Sequence, residues 1–339
     1  MTRAPSTPST PRTRSRGHRR RRRRAPSVGL VVAVLVTATL AACGPTVPAT
    51  SCPMFPADSH WHADVRGLPV LTNSASMVAT VGTDAALKAD FGSGTWDGGP
   101  IGIPYVVVPG TQPKVRVTFD YDDESDVGPY PVPANPPIEG GPNADGDRHI
   151  LIVDKGACRL YELYDAHPAS GGRWTAGSGA IWDLRSHALR PAGWTSADAA
   201  GLPILPGLVR YDEVAAGKID HAIRMTVPVS RTSYVWPARH QAGSTGSANA
   251  PAMGQRFRLK AAVNESAYPA SVRPIIRALK TYGAINADNG SAWFMSGVPD
   301  PRWNNDDLQA LRRLRGRDFE AIDASSLRVS ANSGQARKR

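Results

Sequence analysis

Carboxylates and aromatic side chains recur together between residues 177 and 224. The acids are Asp183, Asp198, Asp212 and Glu213, and the aromatic residues are Trp182, Trp194 and Tyr211. Aromatic rings stack on sugar faces, and a pair of carboxyls supplies the acid and the base or nucleophile of glycoside hydrolysis. This combination favours a carbohydrate site. We predict Asp183 and Asp198 as the acid and base, with Asp212 or Glu213 as replacements.

Two histidines lie beside carboxylates in the sequence and are candidate general bases. His149 is two residues after Asp147, and His221 directly follows Asp220. Adjacent residues of a strand point to opposite faces, so the partner of each histidine must come from another strand. Arg224 is a candidate for binding the substrate or neutralising its charge. A structural role is the alternative for both histidines.

Metal and nucleotide chemistry have less support. Residues 120–126 and 143–147 are rich in oxygen ligands that suit calcium, but neither loop has the spacing of an EF-hand. Solvated acidic loops are the favoured interpretation, so we predict no metal ligand and no cofactor, with calcium as the alternative. The sequence also contains no phosphate-binding glycine loop and no Gly-x-Ser-x-Gly elbow.

The first 42 residues have the pattern of a bacterial lipoprotein signal. Six consecutive arginines at 19–24 precede an apolar stretch at 28–40 that is too short to span a bilayer. Leu40-Ala41-Ala42-Cys43 then resembles a lipobox. We therefore predict cleavage before Cys43, a lipid on that cysteine, and export to the outer face of the cell membrane. An uncleaved anchor and a later start codon are the alternatives, and the export route stays open.

The positive charge of the chain belongs mainly to this signal. The whole sequence has 40 Lys and Arg against 29 Asp and Glu, and residues 1–42 contain ten arginines and no acid. The remaining chain therefore has 30 basic residues against 29 acidic ones. This balance argues against a nucleic-acid partner, and membrane contact is expected only through the lipid.

The cysteine count predicts one disulfide. With Cys43 assigned to the lipid, Cys52 and Cys158 remain. Two thiols in an oxidising compartment tend to pair, so we predict a bridge between them. Two unpaired structural cysteines are the alternative.

Gly and Pro divide the chain after residue 60 into many short strands and few helices. The predicted strands are at 102–108, 114–119, 149–154, 158–164, 180–184, 221–227 and 256–262. Apolar spacing predicts a helix over 271–282 that ends at Gly283, and Asn304 or Asn305 caps a second, shorter one. This pattern predicts a single jelly-roll-like β-sandwich over 60–323, with minor helices toward its C-terminus. A flexible tether at 43–59 and a disordered tail at 324–339 complete the predicted organisation.

Several longer blocks resemble a family of uncharacterised secreted bacterial proteins and lipoproteins. The blocks are GIPYVVVPG (102–110), PYPVPAN (129–135), DRHILIVD (147–154), SADAAGLP (196–203), LVRYDE (208–213) and ADNG (287–290). The resemblance implies export and one continuous domain, and it assigns no reaction.

Two functions remain open at this point. The first is a surface-anchored carbohydrate-active enzyme, a glycoside hydrolase or a polysaccharide lyase, that acts on polysaccharide or cell-envelope glycan. The second is a non-catalytic envelope lipoprotein that binds a glycan or a protein. Paired carboxylates in an aromatic-lined cleft would favour the enzyme.

Overall fold

Strands in several sheets dominate residues 45–338, which are the residues that the computed structural model describes. Strands account for 27% and helices for 19%, so the prediction of a mainly β domain with few short helices is confirmed. The strands are β1 (Lys88–Asp90), β2 (Thr95–Trp96), β3 (Gly99–Pro100), β4 (Tyr105–Val108), β5 (Val117–Phe119), β6 (Ile150–Asp154), β7 (Arg159–Tyr164), β8 (His167–Ala169), β9 (Arg173–Ala176), β10 (Ser178–Asp183), β11 (Ile223–Val227), β12 (Arg256–Leu259), β13 (Ala284–Asn289), β14 (Phe294–Ser296) and β15 (Phe319–Ile322). The α-helices are α1 (Ser74–Val81), α2 (Tyr211–Ala215), α3 (Arg273–Thr281) and α4 (Asn305–Gln309). No helix within this part of the chain has the length and apolar character needed to cross a membrane.

The strands of the described region are arranged in mixed sheets. A six-stranded sheet has the order β1-β14-β11-β13-β12-β15, and a four-stranded sheet has the order β10-β7-β6-β4. A three-stranded sheet, β5-β9-β8, and the hairpin β2-β3 complete the set. The pairs β1–β14, β11–β13, β4–β6 and β5–β9 are parallel. The topology therefore differs from the antiparallel sheets of a jelly roll, because the chain crosses back through α3 before it pairs β13 with β11.

Hydrophobic cores lie on both faces of β6, and successive side chains of this strand enter opposite cores. Leu151 and Val153 pack in one core with Ile285 of β13, which joins the four-stranded sheet to the six-stranded sheet. Ile150 and Ile152 pack on the opposite face, in a core shared with the three-stranded sheet. All four β6 side chains are fully buried. The apolar run of this strand therefore reflects burial on both of its faces.

The predicted helix at 271–282 is confirmed as α3. Ile275, Ile276 and Leu279 are buried in the core on the other face of the six-stranded sheet. Gly283 ends the helix with a φ of +70°, and a Cβ at this position would overlap the backbone carbonyl of Phe257. Glycine is therefore required there by both conformation and space.

The second predicted helix is confirmed as α4. The Asn304 side chain accepts hydrogen bonds from the backbone N–H groups of Asp306 (3.0 Å) and Asp307 (3.3 Å). This is the N-cap that the sequence predicts.

The segment that precedes the domain is not a free tether. Val47, Cys52 and Met54 are fully buried, and Met54 donates its backbone N–H to the carbonyl of Pro45 (2.6 Å). The predicted tether at 43–59 is therefore corrected for residues 45–59, because their apolar side chains pack into the core between the two larger sheets. The signal segment and Cys43 lie outside the described residues.

The C-terminal segment also packs on the domain. Leu327 and Ala336 are buried together with Val65 and Leu68. The N–H of Ala336 donates to the carbonyl of Asp58 (2.7 Å). The predicted disordered tail at 324–339 is corrected for residues 324–338, because a few apolar side chains among many polar ones were enough to dock it.

The predicted disulfide is confirmed. Cys52 and Cys158 are bonded, with their Cα atoms 5.3 Å apart and a sequence separation of 106. Replacing both with Ala is expected to lower the free energy of unfolding by about 2–4 kcal/mol, because the bridge restricts the unfolded chain over a long loop. Urea denaturation of the variant and of the oxidised parent measures this. Equal midpoints, or an intact mass that does not rise by two hydrogens on reduction, would contradict it.

Candidate active site

The two exposed carboxylates among the predicted catalytic acids have structural partners. Asp183 lies at the end of β10 and accepts a hydrogen bond from the backbone N–H of Arg185 (2.9 Å). Asp212 lies on α2 and forms an ion pair with Arg302 (2.8 Å). The first contact is typical of a turn and the second of a helix surface.

Glu213 and His221 belong to a buried ion-pair cluster with Arg210. The Glu213 carboxylate contacts the Arg210 guanidinium (2.5 Å) and Nε2 of His221 (3.2 Å). Burial acts to raise the pKa of Glu213, but the charges of Arg210 and His221 outweigh it and hold that pKa at about 2. His221 Nδ1 also lies 2.8 Å from the carbonyl oxygen of Ala222. Both predicted residues therefore stabilise the start of α2.

The predicted aromatic residues contact side chains of the protein itself. Trp182 is buried, and Trp194 is half-buried. Their rings lie 5.7 Å and 5.3 Å from the guanidinium of Arg190. Tyr211 packs edge-on against Trp303, with a ring-centroid distance of 5.0 Å. The sequence could not predict how exposed these three rings are, and exposure decides whether a ring can stack on a sugar.

Asp198 and Arg224, both predicted site residues, form a buried bidentate ion pair. Nε and Nη2 of Arg224 each lie 2.8 Å from a different carboxylate oxygen of Asp198. Arg224 also donates to the hydroxyl of Ser296 (2.8 Å) and contacts Asp288 (3.3 Å). Burial disfavours the charge of Arg224, but Asp198 outweighs it and raises the Arg224 pKa. Both oxygens of Asp198 are occupied by this pairing.

His149 and Glu139 form a second buried pair next to Asp198. Nδ1 of His149 lies 2.5 Å from a Glu139 carboxylate oxygen, and Nε2 lies 2.9 Å from the carbonyl of Ala197. Both neighbours are acceptors, so both ring nitrogens carry hydrogen and the ring is an imidazolium. Burial opposes this charge, but Glu139 outweighs it and raises the pKa of His149 to about 9. The ring has no free lone pair, so this geometry does not support His149 as a general base.

The stability of the protein is expected to depend on the His149 imidazolium. The folded pKa of about 9 exceeds the unfolded value of roughly 6.5, so the contribution is complete below pH 6.5 and is lost as the pH rises through 9. The loss is on the order of 3 kcal/mol. Urea denaturation from pH 6 to 9.5 should show this decline in the parent and in His167→Gln, an exposed control. The same decline in His149→Gln would contradict the assignment.

Glu139 faces a cleft of about 600 Å³ that also exposes Asp90, Asp147 and Trp96. The Glu139 pKa is lowered: burial acts to raise it, and the His149 charge and hydrogen bond outweigh burial. Asp90 is open to the cleft, but the cleft walls displace bulk water around its carboxyl, and this desolvation raises its pKa. The Lys88 charge opposes this rise in the Asp90 pKa, and the smaller effect of the Glu139 charge adds to it. The cleft therefore contains two carboxyls whose pKa values are shifted in opposite directions.

The hairpin β2-β3 presents Trp96 at this cleft. Asp97 and Gly98 both have positive φ, 49° and 83°, as in the tight two-residue turns that suit β-hairpins. Gly99 packs directly on Gly140, and a Cβ at residue 99 would overlap the Gly140 carbonyl. The Trp96 side chain is 80% exposed. The close glycine contact thus places an open indole beside the loop that carries Glu139.

A network of buried charged residues lies next to the cleft. Asp90 pairs in register with Ser296, whose hydroxyl binds Arg224. Asp288 contacts Arg224 from β13, and burial together with the charge of Asp198 raises its pKa to about 6. Asp198 itself follows Ala197, the residue whose carbonyl accepts from His149. His149 thus holds the Glu139 carboxylate directly, and the Arg224 network reaches Ser296, the backbone partner of Asp90.

The acidic loop 120–126, for which calcium was the alternative to a solvated loop, has partners within the protein. In the acidic loop 120–126, Glu124 accepts from the N–H of Thr195 (2.7 Å), and Asp126 contacts Arg190 (2.5 Å). Within residues 45–338, one group of three possible ligands has its atoms within 4.8 Å of each other: Glu139, Asp147 and His149. A metal there would have to displace a partner of His149, since both ring nitrogens are occupied.

Comparison with known proteins leaves the site to be interpreted from its own geometry. No protein-family model, no curated protein and no solved structure matches this chain.

The residues that the sequence analysis missed are Asp90, Trp96 and Glu139. The Asp-Gly pair after Trp96 predicts a β-hairpin turn, and from that turn the exposed position of Trp96 could have been predicted. Glu139 and Asp90 have no comparable signal, because Asp90 ends the three-residue strand β1, Glu139 lies in a turn, and the two share a cleft only in the folded chain.

Proposed function

We propose that this protein is a secreted carbohydrate-active enzyme that hydrolyses a glycan in the Glu139 cleft. The observation that supports it is the pair of cleft carboxyls, Asp90 and Glu139, with opposite pKa shifts beside the exposed Trp96 indole. Opposite shifts assign the acid and base roles of such a pair. The proposal keeps the reaction class predicted from the sequence and moves it to different residues.

The two carboxyls have complementary roles in this reaction. Asp90, whose pKa is raised by desolvation, takes the role of the acid and donates its proton to the glycosidic oxygen as the bond to the anomeric carbon breaks. Glu139, which stays ionised, supports the developing positive charge and acts as nucleophile or as base toward water. One water is consumed, and its hydroxyl joins the anomeric carbon. The water proton goes to Asp90 when Glu139 is the nucleophile, and to Glu139 when Glu139 is the base; in the second case exchange with solvent restores both groups. The anomeric configuration of the product distinguishes the two roles of Glu139.

His149 and Trp96 are suited to assist without taking part in the chemistry. His149 is a positioning residue, because its imidazolium keeps Glu139 ionised and fixes its orientation through the 2.5 Å contact. The Trp96 indole offers an apolar face on which a sugar ring can stack. The cleft volume of about 600 Å³ lies within the usual range for small-molecule sites.

We further propose that the enzyme works outside the cell, anchored through a lipid on Cys43. The Cys52–Cys158 disulfide supports an oxidising location. Mass spectrometry of the membrane-bound protein would test the anchor: a diacylglyceryl group on Cys43 and loss of residues 1–42 are expected. A full-length chain without lipid would overturn this part of the proposal.

The experiment that tests the reaction is a survey of glycans with the full chain. We would incubate it with bacterial and plant polysaccharides and follow new reducing ends together with the ultraviolet absorbance of unsaturated uronides. New reducing ends without that absorbance are expected for hydrolysis. Both signals together would indicate a lyase and overturn the assigned mechanism. Glycan binding without either signal would indicate the non-catalytic binding protein.

A further inference from the structure

A second pocket, of about 640 Å³, lies at the other edge of the six-stranded sheet from the Glu139 cleft. The cleft includes residues of β1, whereas this pocket includes residues of β12 and β15, and β1 and β15 are the two edge strands. Its charged lining residues are Arg231, Arg239, Arg256, Arg328 and Asp323. We call it the arginine pocket. Four guanidinium groups against one carboxylate give it a strong positive charge.

The two buried arginines of this pocket have no carboxylate partner among residues 45–338. Arg239 donates to the carbonyls of Arg190 (2.7 Å) and Ala331 (2.7 Å) and to the Asn332 side chain (2.9 Å). Arg256 donates to carbonyls only, and burial lowers its pKa to about 9. Buried cations are normally paired with an anion, because the loss of hydration is costly. Residues 45–338 therefore supply no counter-charge to these two arginines.

The other two arginines are available to a ligand. Across the described chain, Arg231 and Arg328 make no side-chain hydrogen bond or ion pair, and Nε of Arg231 is buried without a partner. Asp323, the single carboxylate, accepts from the backbone N–H of Ser325 (2.9 Å). The positive charge of the pocket is therefore not neutralised from within.

We propose that the arginine pocket binds a small organic anion through a carboxylate or phosphate group. Guanidinium groups present paired N–H donors that match the oxygens of both groups. Tyr234 and Trp236 line the same pocket and offer aromatic surface to the body of the ligand. The indole N–H of Trp236 is already bonded to the carbonyl of Ser333 (2.9 Å), so its ring serves as an apolar wall. This second site is independent of the reaction proposed for the Glu139 cleft.

Calorimetric titration of the full chain tests the proposal with three probes. D-glucuronate presents a carboxylate, D-glucose 6-phosphate presents a phosphate, and D-glucose is the neutral control. At least one anion is expected to bind at least tenfold more tightly than glucose, with an affinity that falls as salt is added. The better anion identifies the preferred group. Equal binding of all three probes, or no binding of either anion, would overturn the proposal.

Substitutions locate the binding. The double variant Arg231→Gln/Arg328→Gln should lose at least tenfold in affinity for the better anion, and its thermal midpoint without ligand should stay close to that of the parent. Neither side chain has a hydrogen bond or ion pair in the described chain, so their loss breaks no internal polar contact. Arg116→Gln, an exposed arginine next to β5, is the matched control and should bind as the parent does. An equal loss in the control, or no loss in the double variant, would contradict the assignment.

Discussion

Replacing Glu139 by Gln is expected to lower kcat by about 10²–10⁴-fold, the range for a general acid or base. The change removes the ionised carboxylate from the cleft but keeps the shape of the side chain. The amide oxygen can still accept the hydrogen bond of the His149 Nδ1–H, so the fold should survive. The measurement is kcat and KM on the glycan identified by the survey, together with the thermal midpoint.

The control for Glu139 is a carboxylate outside the cleft. Glu265→Gln removes an acid that pairs with Arg277 on the surface (3.1 Å), and kcat should stay unchanged. The pH profile of kcat/KM adds a second readout: its acid limb should report Glu139, and its basic limb Asp90, whose pKa is raised. A Glu139→Gln protein that retains kcat would rule out the assigned site.

The second large effect concerns stability. Arg224→Met is expected to lower the free energy of unfolding by about 3–5 kcal/mol, because Asp198 would remain buried without its bidentate partner. Removing both charges with Arg224→Met/Asp198→Leu should recover much of this loss, since the unpaired carboxylate is then gone as well. Urea denaturation at pH 7 gives the free energies for the double-mutant cycle.

A surface arginine provides the comparison for this cycle. Arg302 is exposed and pairs with exposed Asp212 and half-buried Asp300, so Arg302→Met should change the free energy of unfolding little. If Arg224→Met lowers the free energy of unfolding no more than Arg302→Met does, the buried Arg224–Asp198 pair does not stabilise the fold. The cycle also separates two views of Asp198. If Asp198 were catalytic, as the sequence suggested, replacing it would abolish turnover and leave the free energy of unfolding unchanged. If it is half of a buried ion pair, replacing it alone should lower the free energy of unfolding strongly.

Local signals in the sequence were sufficient for several elements. The apolar stripe of α3 and its stop at Gly283, the Asn304 cap of α4 and the strand β6 were all predicted correctly. Each depends on residues within a few positions of one another, where backbone preferences and side-chain periodicity act directly. The disulfide was predicted because, once Cys43 was set aside, two cysteines remained.

The predicted tether and tail show where such signals fail. Residues 45–59 are rich in Pro, and residues 324–338 are rich in Ser and other polar residues, as flexible segments often are, but a few apolar side chains anchor each segment. Val47 and Met54 are fully buried, and so is Leu327 at 1% exposure. Composition averages over a segment, whereas docking depends on the few side chains that find a matching surface.

By itself, the sequence determined the mainly β class, the helices with clear caps, the disulfide and the kinds of residue available for chemistry. Only the tertiary structure decided which carboxyls meet. Asp198 is 26 residues from Arg224 in sequence, yet the two are locked together by hydrogen bonds. Glu139 and Asp90 come from separate parts of the chain to one cleft. Burial and electrostatic coupling set the charge of each group, and both depend on neighbours that the order of residues does not reveal.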